Sequence, residues 1–291
     1  EELAGGETRE PIVSTLLPVT FDLQGTRSTV EVEIQNGVGE LVGHRLPLPA
    51  GQKRGYGAVS IPADTNPADT DFYFTFDVTP LRRSVIVTDD DQVGRVLQLA
   101  AEISTDDQSQ NVAEIFTPAQ MGSIEWDQIA LVLWHAALPR DDTQQAGDAT
   151  AIESFIDRGG RVVFFPPRTL SQSDASNEIF SMRWRDWQQP DEAIAVSSWR
   201  GDSDVLSATL AGSALPLGQL RVSRFAGLLG DATPLAKLAD GSPLLAREAT
   251  RQGGVYFCAT TPRTEDSSLA ADGVVLYVLV QRALAEGAKS L

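Results

Sequence analysis

The densest group of reactive side chains in the sequence is Asp89-Asp90-Asp91, which follows a short β-branched run, Ser84-Val85-Ile86-Val87-Thr88. Carboxylates at the end of a buried strand can hold a hard cation through their oxygens. They can equally cap the helix that follows and meet its positive end. His135 closes a second apolar run, Ile129 to Trp134, and has the chemistry of a ligand or a base, or of a hydrogen-bonded strand-end residue with no further role. Arg168 follows a third run, Arg161-Val162-Val163-Phe164-Phe165, across Pro166-Pro167. In an open α/β sheet, ligands bind outside the carboxyl ends of the strands. Asp89, Asp90, Asp91, His135 and Arg168 are therefore the candidate ligand-binding residues. Cys258 is the only cysteine and sits inside Gly254-Val255-Tyr256-Phe257-Cys258-Ala259-Thr260. A nucleophilic thiol needs exposure on a tight turn and a base beside it, so a buried structural thiol is expected. Trp184, Trp187 and Trp199 fit either a sugar- or peptide-binding surface or anchors of the core.

Composition narrows the classes. The chain has 291 residues, 23 Lys and Arg against 40 Asp and Glu, and a formal net charge of −17. Nucleic acid and anionic membrane surfaces repel such a chain. A single cysteine excludes an internal disulfide framework, and the two histidines, His44 and His135, leave little for histidine-based catalysis or a Cys/His metal site. There is no GxGxxG, P-loop, HExxH or GxSxG motif. No cofactor, no metal and no catalytic residue is expected. The start, Glu1-Glu2-Leu3-Ala4-Gly5-Gly6-Glu7, has neither the basic nor the apolar region of a signal peptide. The longest apolar run, Val274 to Val280, is far shorter than the roughly 20 residues of a bilayer span. A soluble chain is expected, with any membrane attachment supplied by flanking segments.

The elements that must position these groups follow from periodicity. Residues 1–10 read as a polar lead-in. Val30, Val32 and Ile34 alternate with polar residues, and Asn36-Gly37 follows as a turn. Phe72, Phe74 and Phe76 alternate likewise, and Pro47, Pro49, Pro62 and Pro67 punctuate the interval. A small immunoglobulin-like β-sandwich over 1–80 is expected. From Ser84 onward the pattern becomes strand, helix (Val93, Val96, Leu97, Ala100), strand (Glu114 to Thr117), strand (Ile129 to Trp134), helix (Ile152, Phe155, Ile156, closed at Gly159-Gly160) and strand (Arg161 to Phe165). This order predicts an α/β domain over 81–291 with a doubly wound, mainly parallel, flavodoxin-like sheet. Residues 168–230 read as an insertion packed on that sheet. A hairpin at Asp240-Gly241, a strand at 254–260 and a helix at 269–286 complete it.

Two families share features with the sequence. Val85-Ile86-Val87-Thr88-Asp89-Asp90-Asp91 resembles the start of a response-regulator receiver domain, which keeps an acidic pair there for magnesium. The phospho-acceptor aspartate of that family has no match near Trp134-His135, and its lysine has none after Phe165, so phosphotransfer does not carry over. More of the chain resembles the BatA-like (aerotolerance regulator) bacterial membrane proteins, in which a β-sandwich precedes a class I glutamine amidotransferase-like domain. The resemblance rests on Asn66 to Phe74, Pro80 to Val87, Asp127 to Trp134, Ile152 to Phe165, Pro234 to Arg247 and Gly253 to Thr261. It implies a soluble, extracytoplasmic part of a membrane-anchored protein whose partners are other proteins of a membrane-associated complex. It does not imply glutaminase activity: the elbow position reads Phe165-Pro166-Pro167-Arg168, and no histidine follows residue 135. The expected function is a non-catalytic interaction or scaffold module. The alternative is a hydrolase or a ligand- or cation-binding domain using the carboxyl-end crevice.

Overall fold

The computed structural model describes residues 14–48, 54–63, 69–77, 81–104, 110–140, 147–171, 174–202, 204–208 and 212–290. The lead-in over residues 1–10, Pro49, the segment Asn66-Pro67-Ala68 and Pro80 lie outside the described residues. The chain divides into two compact units, Glu1–Thr79 and Pro80–Leu291.

The first unit holds β1 (Ser14–Leu23), β2 (Thr26–Gln35), β3 (Arg54–Ser60) and β4 (Asp71–Asp77), joined antiparallel in the order β2-β1-β3-β4. β1 and β2 meet through Gln24-Gly25, both at positive φ (50° and 96°), the geometry of a tight hairpin whose twist matches its strands. The expected two-sheet sandwich is, among the described residues, one sheet. Alternation marks a face that is covered but says nothing of the cover. Part of the cover comes from the segment after β2: His44 stacks on Phe21 at 5.1 Å, and Gly39 lies so close to Ile34 that any Cβ there would collide.

The second unit begins with β5 (Arg82–Thr88), α1 (Asp91–Glu102), β6 (Asn111–Phe116), β7 (Ile129–His135), α2 (Asp148–Asp157) and β8 (Arg161–Phe165). It continues through β9 (Arg183–Gln188), β10 (Ile194–Trp199), β11 (Arg221–Val222) and β12 (Phe225–Leu229). The last elements are β13 (Thr233–Leu238), β14 (Pro243–Glu248), β15 (Gly254–Cys258) and α3 (Val274–Ala288). Nine strands form one sheet in the order β11-β10-β13-β14-β15-β8-β7-β5-β6, and β12 and β9 form a separate ribbon.

The expectation of a mainly parallel, doubly wound, flavodoxin-like sheet is corrected. Strands β15, β8, β7, β5 and β6 pair parallel, but β11, β10, β13, β14 and β15 pair antiparallel, so half of the ladder is of the other kind. The reason is connection length. A parallel crossover needs a dozen or more residues, whereas only Ala239–Ser242 joins β13 to β14 and Ala249–Gly253 joins β14 to β15. The segment 168–230 is no mere insertion either, since β10 and β11 extend the sheet itself.

Both faces of the sheet are buried. Along β7, Leu131 and Leu133 enter the core beneath α1 and α3, while Val132 and Trp134 enter the core on the side of α2. On that second side Phe257 stacks on Phe164 at 4.9 Å and meets Trp184 edge-on at 5.6 Å. Thus Trp184 is a core anchor. α3 approaches β7 so closely that a Cβ on Gly287 would run into the carbonyl oxygen of Ala130. Since that neighbour is backbone and cannot swing aside, Gly287→Ala should cost about 1–3 kcal/mol of unfolding free energy in urea. A neutral result would mean that the helix slides freely over β7.

Candidate functional site

At the carboxyl ends of the parallel strands, the register sets Thr88 of β5 opposite His135 of β7, and His135 opposite Phe165 of β8. The Thr88 hydroxyl and His135 Nδ1 lie 2.8 Å apart, and Thr88 Oγ1 also accepts from the Asp90 amide at 3.0 Å. Asp90 adopts an extended backbone and caps α1, its Oδ1 accepting from the amides of Gln92 (3.0 Å) and Val93 (3.1 Å). Its other oxygen is taken by Arg263 Nη1, in a pair whose side chains are 8% and 9% exposed. Arg263 also donates through Nε to Glu265 at 2.7 Å.

Arg263 belongs to the loop that leaves β15, and that loop is tied down in turn. The Thr261 hydroxyl donates to Asp266 Oδ2 at 2.6 Å, and Arg224 lies 3.4 Å from Asp266 Oδ1. Arg224 stacks over Trp187 at 3.9 Å and donates to the Arg168 carbonyl at 3.3 Å, while Trp187 Nε1 donates to the Pro167 carbonyl at 3.2 Å. The post-β8 and post-β15 loops are thus joined through one arginine and one tryptophan.

Electrostatics follow from this wiring. Burial drives His135 down from 6.5 to about 4; the Asp90 carboxylate opposes the shift and Arg263 adds to it. The ring is therefore neutral at pH 7. Its Nε2 is buried and has no hydrogen-bond partner among the described residues. Burial pushes Asp90 up, but the Val93 amide, Arg263, the Gln92 amide and His135 together outweigh it and hold the carboxyl below its ordinary value.

Of the residues singled out from the sequence, Asp90 and His135 come together, while Asp89, Asp91 and Arg168 are exposed around them. A guanidinium occupies the oxygen of Asp90 that a cation would need, and among the described residues no three His, Cys, Asp or Glu side chains converge as metal ligands. Cys258 is buried on β15, its thiol pushed up to about 12 by desolvation. β8 separates it from β7 and His135, a gap of about 10 Å at two strand spacings. The two therefore form no nucleophile–base pair. Arg263, Glu265, Asp266 and Arg224 escaped the sequence reading. Their signal was Thr260-Thr261-Pro262-Arg263 directly after an apolar strand, a fourth strand end equivalent to the three considered.

No protein-family profile matches the chain, and no curated protein matches it. Among solved structures it is similar to a cytoplasmic protein of Salmonella typhimurium (9% identity, TM-score 0.48, covering 70% of this chain and 98% of that one). It is also similar to a beta-galactosidase of the psychrophilic Marinomonas ef1 (10%, TM-score 0.40, 72% and 29%). A third is the exo-beta-1,4-mannosidase Op5Man5 of Opitutaceae bacterium strain TAV5 (12%, TM-score 0.37, 72% and 35%). The chain spans about a third of the length of these glycosidases. At TM-scores below 0.5 the likeness assigns neither ligand nor activity. The antiparallel half of the sheet withdraws the flavodoxin-like and glutamine amidotransferase-like descriptions for this chain, and the family and curated comparisons, which match nothing, lend the BatA-like resemblance no support.

Proposed function

We propose that the second unit is a non-catalytic interaction module whose partners are other proteins. The observation that carries this reading is the closed polar network at the carboxyl edge: Asp90 is divided between a helix cap and Arg263, and Arg263 between Asp90 and Glu265. A general acid or base must be free to reach a substrate proton, and a nucleophile needs a base in contact. Neither condition is met by Asp90 or Cys258. In support, apolar side chains stay in water beside this network's helix: Leu99 on α1 is 60% exposed and Ile103, just past its end, 53%. They border a groove of about 530 Å³ against the start of α3. Among the described residues no helix is long and apolar enough to cross a bilayer.

Glutamine and p-nitrophenyl acetate hydrolysis by the purified chain should stay at the uncatalysed rate. Cys258→Ser should fold, with a melting temperature within about 2–4 °C of the parent, as a change near 1 kcal/mol would give. Turnover that disappears in Cys258→Ser would end the non-catalytic reading. A second reading, a ligand- or cation-binding crevice, draws on the unpartnered His135 Nε2. Calorimetric titration with magnesium and calcium separates the two: saturable heat lost in Asp90→Asn would favour the crevice.

A further inference from the structure

The opposite end of the large sheet, where β8 begins and α3 finishes, carries a second group of charged residues. Arg161, Arg247, Tyr256 and Arg282 line a concavity of about 470 Å³ together with Asp204 and Glu286. Asp204 is held at a left-handed φ of 66°. It accepts from Arg247 Nη1 at 2.6 Å, from the Tyr256 hydroxyl at 2.8 Å and from the Val205 amide at 2.8 Å. Asp204 thereby neutralises Arg247. Glu286 pairs with Lys289 at 2.6 Å. Burial, then Asp204, keep the Tyr256 phenol protonated, so it adds no negative charge.

Two guanidiniums are left over. Among the described residues Arg282 donates only to carbonyls, of Val205 (3.1 Å), Ser207 (2.5 Å) and Ala208 (3.3 Å), which hold it in place without cancelling its charge. Arg161 donates through Nη1 to the carbonyls of Gly159 (3.3 Å) and Gln252 (3.1 Å). Arg161 Nε is buried with no acceptor among the described residues. Neither arginine has a carboxylate partner among the described residues, in a chain whose net charge is −17. The stem of Arg161 crosses Gly254, where a Cβ would stand 2.6 Å from Cδ and 3.0 Å from Nε. Only glycine at 254 lets the side chain lie in that position.

We propose that this concavity binds a small oxyanion, a carboxylate or phosphate group, with Arg161 as its principal donor and Arg282 supplying the field. A planar guanidinium with an unused N–H edge matches two oxygens of either group, and an acceptor at Nε would satisfy the buried donor left open among the described residues of this concavity. The site stands apart from the carboxyl-edge network and does not depend on the module being non-catalytic.

The test titrates the full chain with sodium phosphate and with sodium succinate at constant ionic strength, read by calorimetry and by melting temperature. Saturable binding of either anion is expected, and selectivity between them tells phosphate from carboxylate as the recognised group. Arg161→Gln should weaken binding about ten- to hundredfold, the worth of a charged hydrogen bond. Arg161→Lys keeps the charge but loses the fork and should weaken it as well. Gly254→Ala should do the same by displacing the side chain, whereas Arg183→Gln, exposed on β9, should bind like the parent. Absence of saturable binding by both anions would overturn the proposal, as would equal affinity in the parent and in either Arg161 variant.

Discussion

Replacing Arg263 by methionine should cost the second unit about 3–5 kcal/mol in urea unfolding, because it strands a buried charge. Asp90, 8% exposed in the parent, would keep the two helix amides but lose its countercharge. Glu265 would lose the same partner at little cost, since it stands in solvent and is screened. The size of the effect reflects the penalty for an unpaired buried ion, not the net worth of the pair. A double variant, Asp90→Ser with Arg263→Met, makes the distinction. Serine preserves the helix cap and removes the carboxylate, so the double variant should recover much of what the single one loses. A single-variant loss below about 1 kcal/mol, or a double-variant loss equal to the sum of two large ones, would contradict a desolvated ion pair.

Stability should also fall by about 3 kcal/mol between pH 6.5 and pH 4 on account of His135 alone. The unfolded chain takes up a proton at the ordinary value of 6.5, while the folded chain resists until about 4. Across that window the unfolded state binds more protons, so stability rises with pH, is complete above 6.5 and is lost as the pH drops towards 4. The groups facing the ring are Asp90 and Arg263. Asp90 is lowered from 3.8, so its own contribution is lost only beneath that value and leaves the histidine window clear. Chemical unfolding at intervals from pH 4 to pH 7 should give a rising curve for the parent and a nearly flat one for His135→Gln. Parallel curves would mean that the ring already carries its proton in the folded state.

Much of the fold could be read from spacing. The all-apolar run of β7, the apolar positions of α1 and the Asp240-Gly241 hairpin fall where the sequence puts them, because burial periodicity and turn chemistry are local properties. Strand direction is not local. A strand buried on both faces reads the same whether its neighbour runs with it or against it, so the sheet expected to be mainly parallel is antiparallel from β11 to β15, and β10, read as part of an insertion, lies within it. The candidate site was half visible for a similar reason. The capping reading of Asp90 follows from the residues beside it. Its partner Arg263 lies 173 positions away, on a loop whose place depends on the whole sheet. His135 could be placed at a strand end, but its neutrality comes from the depth of the edge first and from Arg263 second.

The loop after β15 has one more effect. β11 is only two residues long and ends the nine-stranded sheet. Its outer backbone groups are engaged by that same loop: the Arg221 amide donates to Ser268 Oγ at 3.0 Å and the Ser268 amide donates to the Arg221 carbonyl at 2.9 Å. An open sheet margin is a template for lateral pairing with another molecule. One short polar segment therefore both anchors the interior and seals the margin, so detaching it would turn a loss of stability into self-association.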